Sequence, residues 1–83
     1  MQDQRLQVKI RSKSKIYFEG LAYAVSSTNE IGTFDILSEH ANFVTAVKDF
    51  ITVHKSTDSK EDFSIERGIL RVRENLVEVF IGV

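Results

Sequence analysis

The chain of 83 residues has no cysteine, which removes disulfides and thiolate metal sites as supports for so small a fold. Stability must then come from packed apolar surface or from partners, and the absence favours a reducing compartment. No run approaches the roughly 18 consecutive apolar residues that a transmembrane helix needs. The start, Met1 to Arg5, is polar where a signal peptide would place an apolar core, so neither export nor direct membrane insertion is expected. A basic excess is also missing. Eleven Lys and Arg stand against twelve Asp and Glu, for a net charge of −1 and a pI near 6.1, whereas a nucleic-acid binder should carry a net positive stripe interleaved with aromatics. The charge that is present is uneven. Arg5, Lys9, Arg11, Lys13 and Lys15 lie early and Asp58, Glu61, Asp62 and Glu66 late, a polarity that could orient docking or simply mark solvated strand faces.

What remains is an ordinary globular composition, 42% hydrophobic and 28% charged, outside the disordered range. A chain this short cannot divide its apolar residues between two cores, so residues 1–83 are expected to form one domain.

Leu6, Val8 and Ile10 alternate with Gln7, Lys9 and Arg11, the period of a strand with one face in a core. Ser12 to Lys15 reads as a turn, and Ile16, Tyr17 and Phe18 as the next strand, with Gly20 as a bulge or close approach before an extended Leu21 to Ser26. Ser26, Ser27, Thr28 and Asn29 form a turn cluster, after which Phe34 and Ile36 share a face beyond Gly32. Phe50 to Lys55 alternates less cleanly. Ser56 to Asp62 is a polar hairpin loop. Phe63 with Ile65, Leu70 with Val72, and Val77 with Val79, Ile81 and Val83 then give three runs separated by Arg67-Gly68 and Glu74-Asn75. Turns recurring about every ten residues predict an all-β, small antiparallel β-sandwich. Ser38 to Ile51 is ambiguous: Phe43, Ala46, Val47, Phe50 and Ile51 also fit helical spacing, while the β-branched content favours extended structure.

Catalytic chemistry finds little footing. The histidines are His40 and His54, in no recognised metal spacing, and Ser38 and His40 do not form a nucleophile and base with an oxyanion-hole motif. His40 reads as a loop-surface residue and His54 as a solvent-facing strand position. Gly20, Gly32 and Gly68 are too scattered to cradle a phosphate. No catalytic residue, metal, cofactor or small-molecule substrate is expected.

The stretch Ile36-Leu37-Ser38-Glu39-His40-Ala41-Asn42-Phe43-Val44-Thr45-Ala46-Val47 resembles the signature Ile-Leu-Pro-Gly-His-Ala-Pro-Leu-Val-Thr-Ala-Leu of the N-terminal β-sandwich of F-type ATP synthase epsilon subunits. Leu6 to Ile10 leading to Phe18-Glu19-Gly20 is similar to that family's first two strands, and Gly68-Ile69-Leu70-Arg71-Val72 to its Gly-Gly-Phe-Leu-Glu-Val. The likeness runs from Leu6 to the end. It departs at Lys13, Ser38, Asn42 and Asp49, where the family usually has proline, and at Glu39 and Arg67, where it has glycine, which implies altered loop shapes. The C-terminal helical hairpin that most members carry does not follow Val83 in this sequence.

The resemblance implies a non-catalytic central-stalk domain that couples the gamma subunit to the c-ring during proton-driven ATP synthesis, peripheral at the cytoplasmic face of the inner membrane in a bacterium. It implies that Ser12, His40 and Thr45 face gamma, and that Gly32, Thr33 and Phe34 face the ring. Thr33 lacks the acid often found there, so a charge-assisted contact with a basic loop should be weaker. The alternative is a free-standing adaptor domain built on the same sandwich.

Overall fold

The computed structural model describes residues 5–82. Seven strands follow in chain order: β1 (Leu6–Arg11), β2 (Ile16–Ala22), β3 (Ala24–Thr28), β4 (Thr33–Leu37), β5 (Phe43–His54), β6 (Lys60–Arg73) and β7 (Leu76–Ile81). They form one continuous hydrogen-bonded sheet in the order β2-β1-β7-β6-β5-β3-β4. Five of the six pairings are antiparallel, as expected, and β1 with β7 is parallel. No described residue is helical, and no helix is long and apolar enough to cross a membrane. The ambiguous stretch from Ser38 resolves into a turn followed by β5, so its β-branched residues decide its conformation.

Two strands are long enough to belong to both layers of the sandwich. The first half of β5 pairs with the second half of β6, next to β7, β1 and β2. The second half of β5 pairs with the first half of β6 on one side and with β3 on the other, and β3 carries β4. The crossing point is a bulge: the register shifts between Lys48 and Asp49 against β6, leaving Glu66 unpaired, and β3 shifts between Ser27 and Thr28. Asp49 takes a φ of 71°, the left-handed conformation that Asp tolerates better than most residues. The bulge carbonyl of Phe50 accepts a hydrogen bond of 2.7 Å from the Ser27 hydroxyl. That hydroxyl belongs to a residue with no solvent exposure, so the bond spares a buried polar group the penalty of going unpaired.

The core lies between the layers. Leu6, Val8, Ile10, Leu70, Val72, Val77 and Val79 fill it from one sheet half, Val25, Ile36, Ile51, Val53 and Ile65 from the other. Two edge-to-face aromatic pairs close the sides that backbone pairing leaves open: Phe18 of β2 with Phe63 of β6, centroids 6.2 Å apart, and Phe34 of β4 with Phe43 of β5, 5.8 Å apart. Such pairs contribute roughly 0.5 to 1.5 kcal/mol beyond their buried area. Outside, Glu19, Lys9, Glu78 and Arg71 form a row of alternating charge across four strands, with ion pairs at Lys9–Glu19 and Arg71–Glu78.

Several boundaries differ from the sequence reading. Ser26, Ser27 and Thr28 form the end of β3, and the turn begins only at Asn29, because the hydroxyls of Ser26 and Ser27 find partners across the sheet. Gly20 pairs with Val8 in a regular ladder, and the shift in that hairpin comes at Ile10/Arg11 instead. The polar loop after β5 is shorter than expected, since Lys60, Glu61 and Asp62 pair with His54, Val53 and Thr52. Arg67-Gly68 does not divide two strands: β6 runs straight through. Glycine is required there for proximity, since a Cβ on Gly68 would sit 2.6 Å from the Phe80 carbonyl oxygen. Glu74 and Asn75 do form the expected turn, both with positive φ (52° and 64°), the backbone of a two-residue type I′ hairpin. Val83 lies outside the described residues.

Because backbone on a neighbouring strand cannot swing aside, Gly68→Ala should destabilise the domain by about 1 to 3 kcal/mol. Urea unfolding measures this, and an unchanged midpoint would exclude the close approach.

Candidate functional site

Three connections frame the candidate site: the β3–β4 turn and the β4–β5 loop leave opposite ends of β4, and the β6–β7 turn meets the second of them. Each is fixed by an asparagine or by a left-handed residue. In the β3–β4 turn, Asn29 Oδ1 accepts from the backbone N–H groups of Ile31 (2.9 Å) and Gly32 (3.1 Å), while its own N–H donates to the Gly32 carbonyl at 3.1 Å. This is an Asx turn, in which a side chain replaces a backbone acceptor. Gly32, at φ 150°, leads into β4 through a conformation that residues with a Cβ rarely adopt. The same asparagine's Nδ2 donates to Thr45 Oγ1 at 3.2 Å, which ties the turn to β5.

The β4–β5 loop is held from the opposite side. Asn75 Oδ1 accepts from the Glu39 N–H at 2.6 Å, and the Asn75 carbonyl accepts from Gln7 N–H at 2.8 Å. Glu39 has a φ of 62°. Glutamate here thus adopts the left-handed backbone that glycine takes most easily. His40 follows, with its N–H donating to Leu37 O at 3.2 Å and its Nδ1 2.7 Å from the Ala41 carbonyl. A carbonyl can only accept, so Nδ1 carries the proton of that bond. The ring packs against Phe43, centroids 5.5 Å apart.

Between these loops lies an open hollow of about 250 Å³ whose lining includes Ile31, Gly32, Thr33, Phe34, His40 and Phe43. His40, one of three residues expected to face gamma, therefore shares a hollow with all three expected to face the ring. Thr45 joins them indirectly, through Asn29. Ser12 does not: it sits in the β1–β2 turn, where its N–H donates to Lys15 O at 2.8 Å, and lines a separate hollow with Arg11, Lys13, Phe80 and Ile81.

A polar group that the sequence reading missed lies on the outer face of the other layer. Ser26 Oγ donates to Asp35 Oδ1 at 2.5 Å and meets His54 Nε2 at 2.9 Å, and beside it Thr52 donates to Asp62 at 2.6 Å. The serine proton is committed to the carboxylate, so His54 must be the donor to Ser26. That polarity is opposite to the one in which histidine activates a serine nucleophile. His54 is half-buried in this network, not the freely solvated position its strand parity suggests. No group of three or more His, Cys, Asp or Glu side chains among the described residues could hold a metal ion.

The family model described as ATP synthase, delta/epsilon chain, β-sandwich domain matches residues 5–82. The chain belongs to this family. Among curated relatives of this delta/epsilon domain, the ATP synthase epsilon chain of Sulfurimonas denitrificans is 28% identical over 78 residues, which take in 93% of this chain and 60% of that one. The chain thus spans about 60% of that relative's length. Among solved structures, a chain of the Euglena gracilis mitochondrial ATP synthase (OSCP/F1/c-ring, rotational state 1) superposes with a TM-score of 0.87 at 13% identity, covering 95% of this chain and 51% of that one. A chain of the Tetrahymena thermophila mitochondrial ATP synthase central stalk and c-ring gives 0.76 at 15% identity, covering 100% and 67%. At these identities the two superpositions speak to the fold alone.

Full burial of Phe43 would make its loss cost about 3 to 5 kcal/mol. In this delta/epsilon domain it is only half-buried, bridging Phe34 and His40 at the rim. Phe43→Ala should therefore destabilise by about 2 kcal/mol, below that range. Calorimetric melting decides, and a loss above about 4 kcal/mol would return Phe43 to the core.

Proposed function

We propose that this domain is a non-catalytic central-stalk element of a rotary ATP synthase, coupling the gamma subunit to the c-ring. The observation that carries the reading is the family match across residues 5–82, and the relative named as an ATP synthase epsilon chain agrees with it. The physical character of the domain suits the role. A rotor element has to pass torque without deforming, and a close-packed interior with few alternative packings resists deformation.

On this reading His40, in the braced β4–β5 loop, and Thr45, in β5, face gamma, with Ser12 contacting it separately from the β1–β2 turn. Gly32, Thr33 and Phe34 face the ring. The two sets border one another at the hollow, so a displacement of either partner would be felt by the other through Asn29 and the Phe34–Phe43 pair. Thr33 is exposed and offers a hydroxyl, giving a neutral hydrogen bond in place of a charge-assisted one. As part of such an assembly in a bacterium, the domain would lie at the cytoplasmic face of the inner membrane.

Tagged protein captured from its native source should bring gamma and c subunits with it, whereas a free-standing adaptor would come without them. His40→Ala should weaken gamma binding by about tenfold while leaving the fold intact, because the ring is half-buried at a loop and lies outside the core. Equal affinities in a calorimetric titration would remove His40 from the interface.

A further inference from the structure

We infer that the outer face of the layer formed by β2, β1, β7 and the adjoining halves of β6 and β5 is an adsorption surface for an anionic lipid bilayer. Alternation along the strands and the register between them put Lys9, Arg11, Lys48, Arg67, Arg71 and Arg73 on this face, with Glu19 and Glu78 as its strand acids. Both acids are already paired, Glu19 with Lys9 at 4.0 Å and Glu78 with Arg71. Arg11, Lys48, Arg67 and Arg73 take part in no ion pair with the described residues. Six bases against two acids leave an excess of four positive charges on one face of a chain whose net charge is −1. Lys48 and Arg67 stand directly opposite one another, a like-charge pairing that destabilises a sheet and that an anion lying over both would relieve. Arg67 and Arg71 occupy the places of glycine and glutamate in the epsilon-subunit signature, so this charge is particular to the chain.

The spread of these cations selects a bilayer over a protein segment. Arg67 to Arg73 covers about 20 Å of β6, Lys48 lies on the next strand to one side, and Arg11 lies two strands away on the other. Lys13 and Lys15, exposed in the adjoining β1–β2 turn, widen the basic area further. A single bound peptide covers only part of such an area, whereas a plane of anionic headgroups meets all of it, each Lys or Arg near the plane adding a similar increment of affinity. Ile16, Leu21 and Val44 are 48%, 45% and 64% exposed and stand at the margins of the face, on β2 and β5. There their aliphatic side chains enter the headgroup region without any part of the chain spanning the membrane. On the stalk reading, such adsorption holds the free domain at the membrane in which a c-ring stands; the adsorption itself does not depend on that reading.

The test is co-sedimentation of the full-length protein with vesicles of pure phosphatidylcholine and of an equimolar phosphatidylcholine–phosphatidylglycerol mixture. Wild type should bind the anionic vesicles about tenfold or more tightly than the neutral ones, and added salt should weaken that binding. Arg67→Glu with Arg73→Glu should remove the preference, while Arg67→Lys with Arg73→Lys keeps it. Lys55→Glu with Lys60→Glu makes the same change of net charge in the β5–β6 loop, away from the face, and should leave binding near wild type. Circular dichroism melts show whether each variant is folded, and the lysine and loop pairs keep the test decisive if the Arg67→Glu, Arg73→Glu protein is not. Equal binding of wild type to both kinds of vesicle, or an equal loss from the loop pair, would overturn the adsorption surface. Wild type that ignores both vesicles but is retained on immobilised polyglutamate, and released by the two Arg→Glu changes, would assign the face to an acidic protein and overturn the lipid reading.

Discussion

The hydrogen-bonded ribbon of β5 and β6 is the constraint on which the rest of the molecule depends. It passes through both layers, so the two halves of the sandwich are joined by covalent chain and backbone pairing as well as by apolar contact. The bulge at Asp49 and Glu66 makes that passage possible, bending the ribbon where a regular ladder would continue flat. Ser27 caps the displaced carbonyl, Gly68 admits the neighbouring backbone, and the two phenylalanine pairs close the sides where no ladder forms. The braced loops inherit their positions from this framework. They hang from strands whose relative placement is fixed.

Much of this architecture is legible in the residues themselves. Leu6, Val8 and Ile10 alternate and are buried; Leu70, Val72, Val77 and Val79 behave the same way; and Glu74-Asn75 turns the last hairpin. The features that were not legible arise from pairing between distant segments. Ser26, Ser27 and Thr28 look like turn residues because hydroxyl side chains often bond locally, yet here Ser26 and Ser27 bond across the sheet to Asp35 and the bulge. Nothing in the local string around Gly68 says that Phe80 will press against it. The parallel pairing of β1 with β7 joins residues about seventy positions apart, a distance over which period and propensity carry no information.

The candidate site was legible to a lesser degree. The resemblance singled out His40, Gly32, Thr33 and Phe34, and these line a common hollow. Its braces were not singled out. Asn29 and Asn75 act through side-chain oxygens aimed at backbone N–H groups, which gives the loops a shape that proline could otherwise have imposed. Asn29 followed three residues later by glycine is the signal that could have revealed the first brace. The second requires knowing that two turns far apart in sequence become neighbours.

The parallel register of β1 with β7 has a consequence for how the molecule comes into being. Strand β1 is made before the other six described strands, but its neighbour in the sheet besides β2 is β7, the last of the seven. The nascent β1–β2 hairpin must therefore wait, its apolar face uncovered, until nearly the whole domain has been translated. For that interval Leu6, Val8 and Ile10 depend on chaperones or on transient collapse for cover, and the lysines and arginine between and beside them keep the waiting hairpin in solution.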